Sequence, residues 1–343
     1  MSNNMSISSI KEHYNNLCTK AKEWSAAYYE QDAPVVTDEE YDSVMHEIRD
    51  IEAAHPEFVT ADSPTQVVGG KRVLGIPVDP RVPMLSLLDV FSDDEVRSFV
   101  DSVKAEYSDV TFSVERKIDG LSLSLVYERS DDGLAYLTQA STRGDGHVGD
   151  VAALTCLPRS IELPKGIGKI ELRGECYMSE KDFEAANAKQ AEAGKKLFAN
   201  PRNCAAGSLR QADPSIARER NLQVFVFNVQ SVNNGDAAQF SPYHCDQLNY
   251  LRDICGFKTT YYAHCNDIDS ILAAIHDIEE KRYDIDYPID GAVIKVDELS
   301  IRQKMGERTK TPKWAIAYKY PAEEKGTVLR NIQLQTGRTG RIT

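Results

Sequence analysis

Glu115-Arg116-Lys117-Ile118-Asp119-Gly120 is the stretch whose reading decides the fold. Val110-Thr111-Phe112-Ser113-Val114 precedes it and Leu121-Ser122-Leu123-Ser124-Leu125-Val126-Tyr127 follows, apolar at every second position. That alternation is the pattern of a half-buried strand. Asp119-Gly120 is a tight-turn dipeptide of the hairpin kind. Lys117 is therefore expected where one strand ends and the next begins, a rigid mount for a reactive group. A lysine amine must be neutral to attack phosphorus, and an ordinary lysine has a pKa of about 10.4. Neighbouring cations or burial lower such a value. Arg143, Arg210, Lys295 and Lys319 are candidate cations. A surface lysine beside a hairpin would carry the same four letters, so Lys-x-Asp-Gly decides nothing alone.

Working outward, several polar clusters interrupt apolar strands or stand at their ends. Thr142-Arg143-Gly144-Asp145-Gly146 reads as a glycine-rich turn carrying an arginine. Arg173-Gly174-Glu175 lies inside the strand-like Ile170–Tyr177, where a glycine suits close approach by a ligand. Phe198 to Arg210, with Arg202 between them, reads as a loop of small residues and two arginines. Asp290-Gly291-Ala292-Val293-Ile294-Lys295-Val296 and Trp314-Ala315-Ile316-Ala317-Tyr318-Lys319-Tyr320 each place a lysine in an apolar strand. Such a charge is costly unless paired or liganded. One lysine could point out of a one-sided sheet. Several together, with Arg143, point to a phosphate pocket.

The 343 residues are enough for two or more domains. The net charge of −13 argues against a generic nucleic-acid binder, but it is uneven. Residues 1–62 carry 4 Lys/Arg against 13 Asp/Glu, whereas residues 302–343 carry 10 against 3. A phosphate backbone would therefore meet the C-terminal third. Seven scattered cysteines without a Cys-x-x-Cys pair argue for a reducing compartment and against a zinc site. No apolar run reaches membrane-spanning length, and no signal-peptide pattern opens the chain. The expected location is cytoplasmic.

Residues 9–29 have helical periodicity, with Ser9 and Glu12 as a capping box, and a second box at Thr37 and Glu40 opens a helix ended by His55-Pro56. Together they form a small helical module. Glycines and prolines mark residues 59–83 as a linker. Ser92 and Glu95 form a third capping box, with Phe91 and Val96 placed as a hydrophobic staple. Beyond 110, strands are expected at 134–140, 169–178, 222–229, 291–296 and 314–320, and helices at 180–193, 244–254 and 267–281. They do not alternate strictly, which favours an α+β fold of largely antiparallel sheets over a doubly wound one. The last stretch, 326–343, begins like a new β element and is too short to be a domain.

In chain order, Lys117-Ile118-Asp119-Gly120, Arg173-Gly174-Glu175, Asp290 to Lys295 and Ala317-Tyr318-Lys319-Tyr320 resemble the motifs of covalent nucleotidyltransferases: DNA ligases, RNA ligases and mRNA-capping enzymes. Asp32-Ala33-Pro34 with Asp38-Glu39-Glu40-Tyr41-Asp42, Pro83-Met84-Leu85-Ser86-Leu87 and Asn200-Pro201-Arg202-Asn203 narrow the resemblance to bacterial-type NAD-dependent DNA ligases. The resemblance implies the nucleotidyltransferase (ATP-grasp-like) ligase fold of antiparallel sheets with flanking helices, preceded by a small α-helical domain. The domains would be 1–72, recognising nicotinamide mononucleotide; 73–321, adenylation; and 322–343, the start of an oligonucleotide-binding barrel.

By match, Lys117 is the nucleophile that takes AMP from NAD, with Asp119 orienting it and Lys295 and Lys319 neutralising phosphate charge. Arg143 and Glu175 would hold the ribose, and Glu175 is also a candidate for Mg²⁺-linked contacts, with no all-protein metal site. Ser86, Leu87 and Glu115 would line the adenine site, and Phe227 falls where the family stacks an aromatic on adenine. Arg202, Arg210 and Arg282 match contacts to nucleotide or nicked double-stranded DNA. Tyr28, Asp38, Tyr41 and Asp42, with Glu39 and Glu40 among them, would cradle nicotinamide mononucleotide. Two departures are visible: Tyr29 stands where the family has histidine, and Leu88-Asp89 where it commonly has Asp-Asn. The zinc finger, helix-hairpin-helix repeats, BRCT domain and most of the barrel lie outside these residues. Self-adenylation without efficient nick sealing is therefore expected, and a second chain carrying the missing domains is a candidate partner. The rival readings are an ATP-dependent polynucleotide ligase or capping enzyme, and a non-catalytic ligase-like accessory subunit.

Overall fold

The computed structural model describes residues 7–29, 36, 38–60, 63–65, 85–142, 154–209, 214–321 and 331, without the side chains of residues 8, 26–29, 38, 39, 42 and 214. Two helices open the chain, α1 (Ile7–Tyr29) and α2 (Asp38–Ala54). They bury Tyr14, Leu17 and Ala21 of one against Met45 and Ile48 of the other, with Phe58 closing the cluster. Because α1 begins at Ile7, Ser9 lies inside its first turn rather than at a cap, a correction to the sequence reading. Thr37, expected to cap α2, lies outside the described residues. The helix stops before His55 and passes into a 3-10 turn at Pro56–Phe58, as a proline requires.

The rest is β1 (Leu88–Val90), α3 (Asp93–Glu106), β2 (Phe112–Ile118), β3 (Leu121–Arg129), β4 (Ala135–Thr142), β5 (Ser160–Ile161), β6 (Lys169–Tyr177), α4 (Glu180–Glu192), α5 (Pro201–Leu209), α6 (Pro214–Glu219), β7 (Gln223–Val232), α7 (His244–Asp253), β8 (Tyr262–Cys265), α8 (Ile268–Glu280), β9 (Ile289–Val296), α9 (Leu299–Met305) and β10 (Ala315–Lys319). The strands form two five-stranded sheets, ordered β1-β10-β9-β2-β8 and β5-β4-β3-β6-β7. Every named pairing is antiparallel except β1 with β10. Each sheet has its own core. Helix α8 covers the first sheet with Ile271, Leu272, Ile275 and Ile278, each worth about 1.5–3 kcal/mol relative to exposure. A larger cluster fills the second sheet and its flanking helices.

Three sequence expectations change. Asp119-Gly120 is not a hairpin turn, because β2 belongs to the first sheet and β3 to the second. The chain crosses between sheets there, and a Cβ on Gly120 would stand 2.2 Å from the carbonyl oxygen of Cys176. Gly174 admits a neighbouring strand rather than a ligand: a Cβ would lie 2.8 Å from the Phe225 carbonyl oxygen. The stretch expected to be a loop at 198–210 contains helix α5. Pro201 opens it, Asn200 accepts from the Asn203 amide at 2.8 Å, and its small residues pack into the core. At Ser92 the cap forms but not the full box: Ser92 Oγ accepts from the Glu95 amide at 3.4 Å, whereas the Glu95 carboxylate accepts from Ser92 Oγ (3.0 Å) and from the Phe91 amide (2.8 Å) rather than from the amide of Ser92. Val96 is buried, but Phe91 stays exposed beside the His46 ring, so the staple does not close as a buried contact.

Candidate active site

The first sheet sets out the charged groups in rows. Lys117 and Lys319 both stand opposite Gly291, one on each side of β9. Lys295 stands opposite Ser113 on one side and Ala315 on the other. Residues four apart on β9 and two apart on β2 share a face. Glu115, Lys117, Lys295 and Lys319 therefore project from one side of the sheet.

A β-bulge supplies the group between the two outer lysines. Lys117 pairs with Gly291 and Ile118 with Ile289, so Asp290 is the extra residue on β9. A bulge re-aims its side chain out of the normal alternation. Lys117 Nζ donates to both carboxylate oxygens of Asp290, each at 2.9 Å, and Lys319 Nζ donates to Oδ2 at 2.8 Å. Burial alone would raise this carboxyl, but the two ammonium groups more than reverse that and hold it well below the usual range. The position between the two lysines on β9 is glycine because the β10 backbone passes close against it. A Cβ on Gly291 would lie 2.1 Å from the Tyr318 carbonyl oxygen.

Glu115 and Lys295 form a second, deeper pair. Lys295 Nζ donates to Glu115 Oε2 at 2.7 Å and to the Phe227 carbonyl at 3.0 Å, and it lies 5.2 Å from the Phe227 ring. Phe227 is also a bulge residue, skipped where Arg173 pairs with Asn228 and Gly174 with Val226. Ser113 Oγ and His244 Nε2 each lie 2.8 Å from Glu115 Oε1. Burial opposes ionisation of Glu115, yet Lys295 and His244 bring its carboxyl down to about 2.

The second sheet adds Glu175, which accepts from Ser122 Oγ at 2.8 Å. Its carboxyl is pushed up to about 7 by burial, against the opposing pull of Arg202, Ser122 and Lys117. Asp119 accepts from Arg202 Nη1 of α5 at 2.9 Å. Ser86 and Leu87 lead directly into β1, and the Ser86 amide donates to the Lys310 carbonyl at 2.8 Å. Arg282 stacks over Tyr283 at 4.6 Å and lies 6.0 Å from the ring of Tyr320.

Of the residues singled out from sequence, Lys117, Asp119, Glu175 and Arg202 are thus linked at the crossing between the sheets, and Lys319 joins Lys117 through Asp290. Glu115, Lys295 and Phe227 form the neighbouring pair of contacts. Arg143 and Arg210 lie outside the described residues, as do the side chains of Tyr28, Asp38, Glu39 and Asp42. Glu40 is exposed, and Tyr41 packs against the helical core. Asp290 and His244 were missed. Asp290 opens a stretch already quoted, but its role depends on the bulge. His244 carries no motif.

Residues 77–323 match the family model described as NAD-dependent DNA ligase adenylation domain. The chain belongs to this ligase family. Residues 7–69 match a second model, DNA ligase-like, N-terminal NAD+-binding domain. Proteins named DNA ligase are similar along nearly the whole chain. That of Acetivibrio thermocellus is 44% identical over 327 residues, covering 93% of this chain and 48% of its own. That of Clostridium kluyveri is 42% identical over 322 residues, covering 92% and 47%. That of Bacillus velezensis is 44% identical over 326 residues, covering 94% and 47%. The chain spans about half the length of the curated relatives it matches. Among the described residues no helix is long and apolar enough to cross a membrane, and no group of three or more His, Cys, Asp or Glu side chains is placed to hold a metal ion.

Proposed function

We propose that this chain is the self-adenylating part of an NAD-dependent DNA ligase. The observation that carries the reading is the row Lys117–Gly291–Lys319 with Asp290 bridging its two ammonium groups. Lys117 leaves the carboxylate, passes a proton to solvent water and attacks the adenylyl phosphorus of NAD. A nitrogen–phosphorus bond forms, the phosphorus–oxygen bond of the pyrophosphate breaks, and nicotinamide mononucleotide departs. Lys319 then faces the charge that gathers on the phosphate oxygens, whereas Lys295, four residues along β9 from Gly291 and tied to Glu115 beside Phe227, stands at the purine end. Asp119, held by Arg202, orients the nucleophile, and Glu175 with Arg143 holds the ribose. Phe227 offers its ring to the adenine beside Glu115, Ser86 and Leu87. A magnesium ion would be carried mainly by phosphate and water, with Glu175 as the candidate carboxylate, and would add to the neutralisation of phosphate charge.

The helical module, residues 1–72, recognises the nicotinamide end through Tyr28, Asp38, Glu39, Glu40, Tyr41 and Asp42, and residues 73–321 carry the adenylation site. AMP would pass from Lys117 to the 5′-phosphate of nicked double-stranded DNA, with Arg202, Arg210 and Arg282 contacting nucleotide or DNA. Such a transfer would serve replication or repair in the cytoplasm, with further ligase domains or a second chain contributing to sealing. The testing experiment offers NAD or ATP with Mg²⁺ and follows adenylyl transfer to protein. Labelling from NAD alone supports the reading, and labelling from ATP alone overturns it.

A further inference from the structure

Behind the Lys295 ammonium lies a fully buried imidazole that no step above uses, His244, the first residue of α7. Its backbone is anchored independently of its ring. The His244 amide donates to the Asp297 carbonyl at 3.0 Å, and the Cys245 amide donates to Asp297 Oδ1 at 2.8 Å. The residue just past β9 thus holds the amino end of α7 against the first sheet.

The ring has one chemically consistent state. Nε2 lies 2.8 Å from the carboxylate oxygen of Glu115 and 3.5 Å from the Lys295 ammonium; the far shorter contact is to a group that can only accept, so Nε2 carries the hydrogen. Nδ1 is buried and has no hydrogen-bond partner among the described residues. A second N–H there would be a buried donor without an acceptor, which is costly. The ring is therefore neutral, with Nε2–H donating and Nδ1 bare. Its surroundings act in the same direction: burial, then the charges of Arg302 and Lys295, push the imidazole down to about 4 despite Glu115.

Glu115 Oε1 accepts from Ser113 and His244, and Oε2 accepts from Lys295. A carboxylate offers about four lone-pair sites, so three donors leave one acceptor direction open. A purine 6-amino group can donate to it; a 6-oxo group cannot. Without His244 the carboxylate would keep only Ser113 on Oε1 and could turn, and Lys295 would turn with it beneath Phe227.

We propose that His244 is a positioning residue for the purine end of the nucleotide: its Nε2–H pins Glu115, and through it Lys295, in the orientation that accepts a 6-aminopurine. The proposal rests on the adenylylation reading above and deepens it. The full chain is titrated calorimetrically with AMP and with IMP as wild type, His244→Leu and His244→Gln, and each variant is checked by thermal melting. Leucine should weaken AMP binding by about tenfold or more, the size of one hydrogen bond to a charged group, and collapse the preference for AMP over IMP. Glutamine, which can keep an N–H at the Nε2 place, should restore both to within about threefold.

Wild-type binding by the leucine variant overturns the proposal. So does equal weakening toward AMP and IMP, or a glutamine variant no better than leucine when both melt normally. If leucine does not fold, the nitrogen shifts of His244 in the wild type decide instead, together with the glutamine variant. An Nδ1–H or doubly protonated ring at neutral pH overturns the proposal. A wild type that binds AMP with this preference but takes no AMP from NAD overturns only the proposed reaction. A wild type that binds no AMP overturns the positioning role itself.

Discussion

Removing the carboxylate of Asp290 would leave Lys117 and Lys319 across Gly291 with no anion between them. Breaking one side of a partly buried charge cluster leaves the other uncompensated. Asp290→Ala is expected to destabilise the fold by about 1–3 kcal/mol or more, which denaturant melts measure; an unchanged stability would mean that the bridge is incidental. His244 and Glu175 make opposite contributions to stability against pH. The His244 imidazole falls from 6.5 in the free chain to about 4 in the fold. The unfolded chain alone binds that proton between these values, so stability is lost as pH falls from 6.5 toward 4. His244→Gln should flatten the melting temperature over this window. The Glu175 carboxyl rises from 4.5 to about 7, so its burial costs stability as pH climbs through that range. Glu175→Gln should therefore gain melting temperature relative to wild type at pH 8 and lose that advantage near pH 5; melting curves at the two pH values check it. At this scale Lys295 and Lys319 stood out because a charge inside an apolar strand needs a reason, and Lys117 because it stands at a strand end beside Asp119-Gly120; Glu115 was named only through the family resemblance. Asp290 was not, since strand alternation assigns it to the other face and only the bulge returns it.

Elements meet where their glycines allow. Gly120 lets the chain cross from β2 in the first sheet to β3 in the second while passing against the Cys176 carbonyl. Gly120→Ala is expected to destabilise the fold by about 1–3 kcal/mol or more, as overpacking against backbone does, and to displace Lys117. Gly168→Ala is the control: its added Cβ would meet only Asn233 Oδ1 at 3.7 Å, an ordinary contact. Denaturant melts of the two variants should separate clearly. The crossing at Asp119-Gly120 was read as a hairpin because a dipeptide reports only the local turn, not which sheet takes each strand. Helix α5 was read as a loop because Asn, Pro and Gly are loop residues on average. In place, Asn200 caps the helix, Pro201 opens it, and small residues let it bury beside β6.

For the whole molecule, the α+β class was legible because strands and helices fail to alternate, whereas the pairing of β2 with both β8 and β9 was not. Those contacts join residues far apart in the chain, and local pattern does not encode them. The acidic helical module approaches the larger part near β1 and α3, where Arg49 lies 4.0 Å from Asp89 and the His46 ring meets Phe91 edge-on. All seven cysteines are free, so reductant should leave the melting temperature unchanged. The central claim is that Lys117 takes AMP from NAD, and the mass of the intact protein after incubation with NAD and Mg²⁺ tests it most directly, with Lys117→Ala alongside. The expected result is a gain of one adenylyl group by the wild type and none by the variant. An unchanged wild-type mass, or an equal gain by Lys117→Ala, would contradict it.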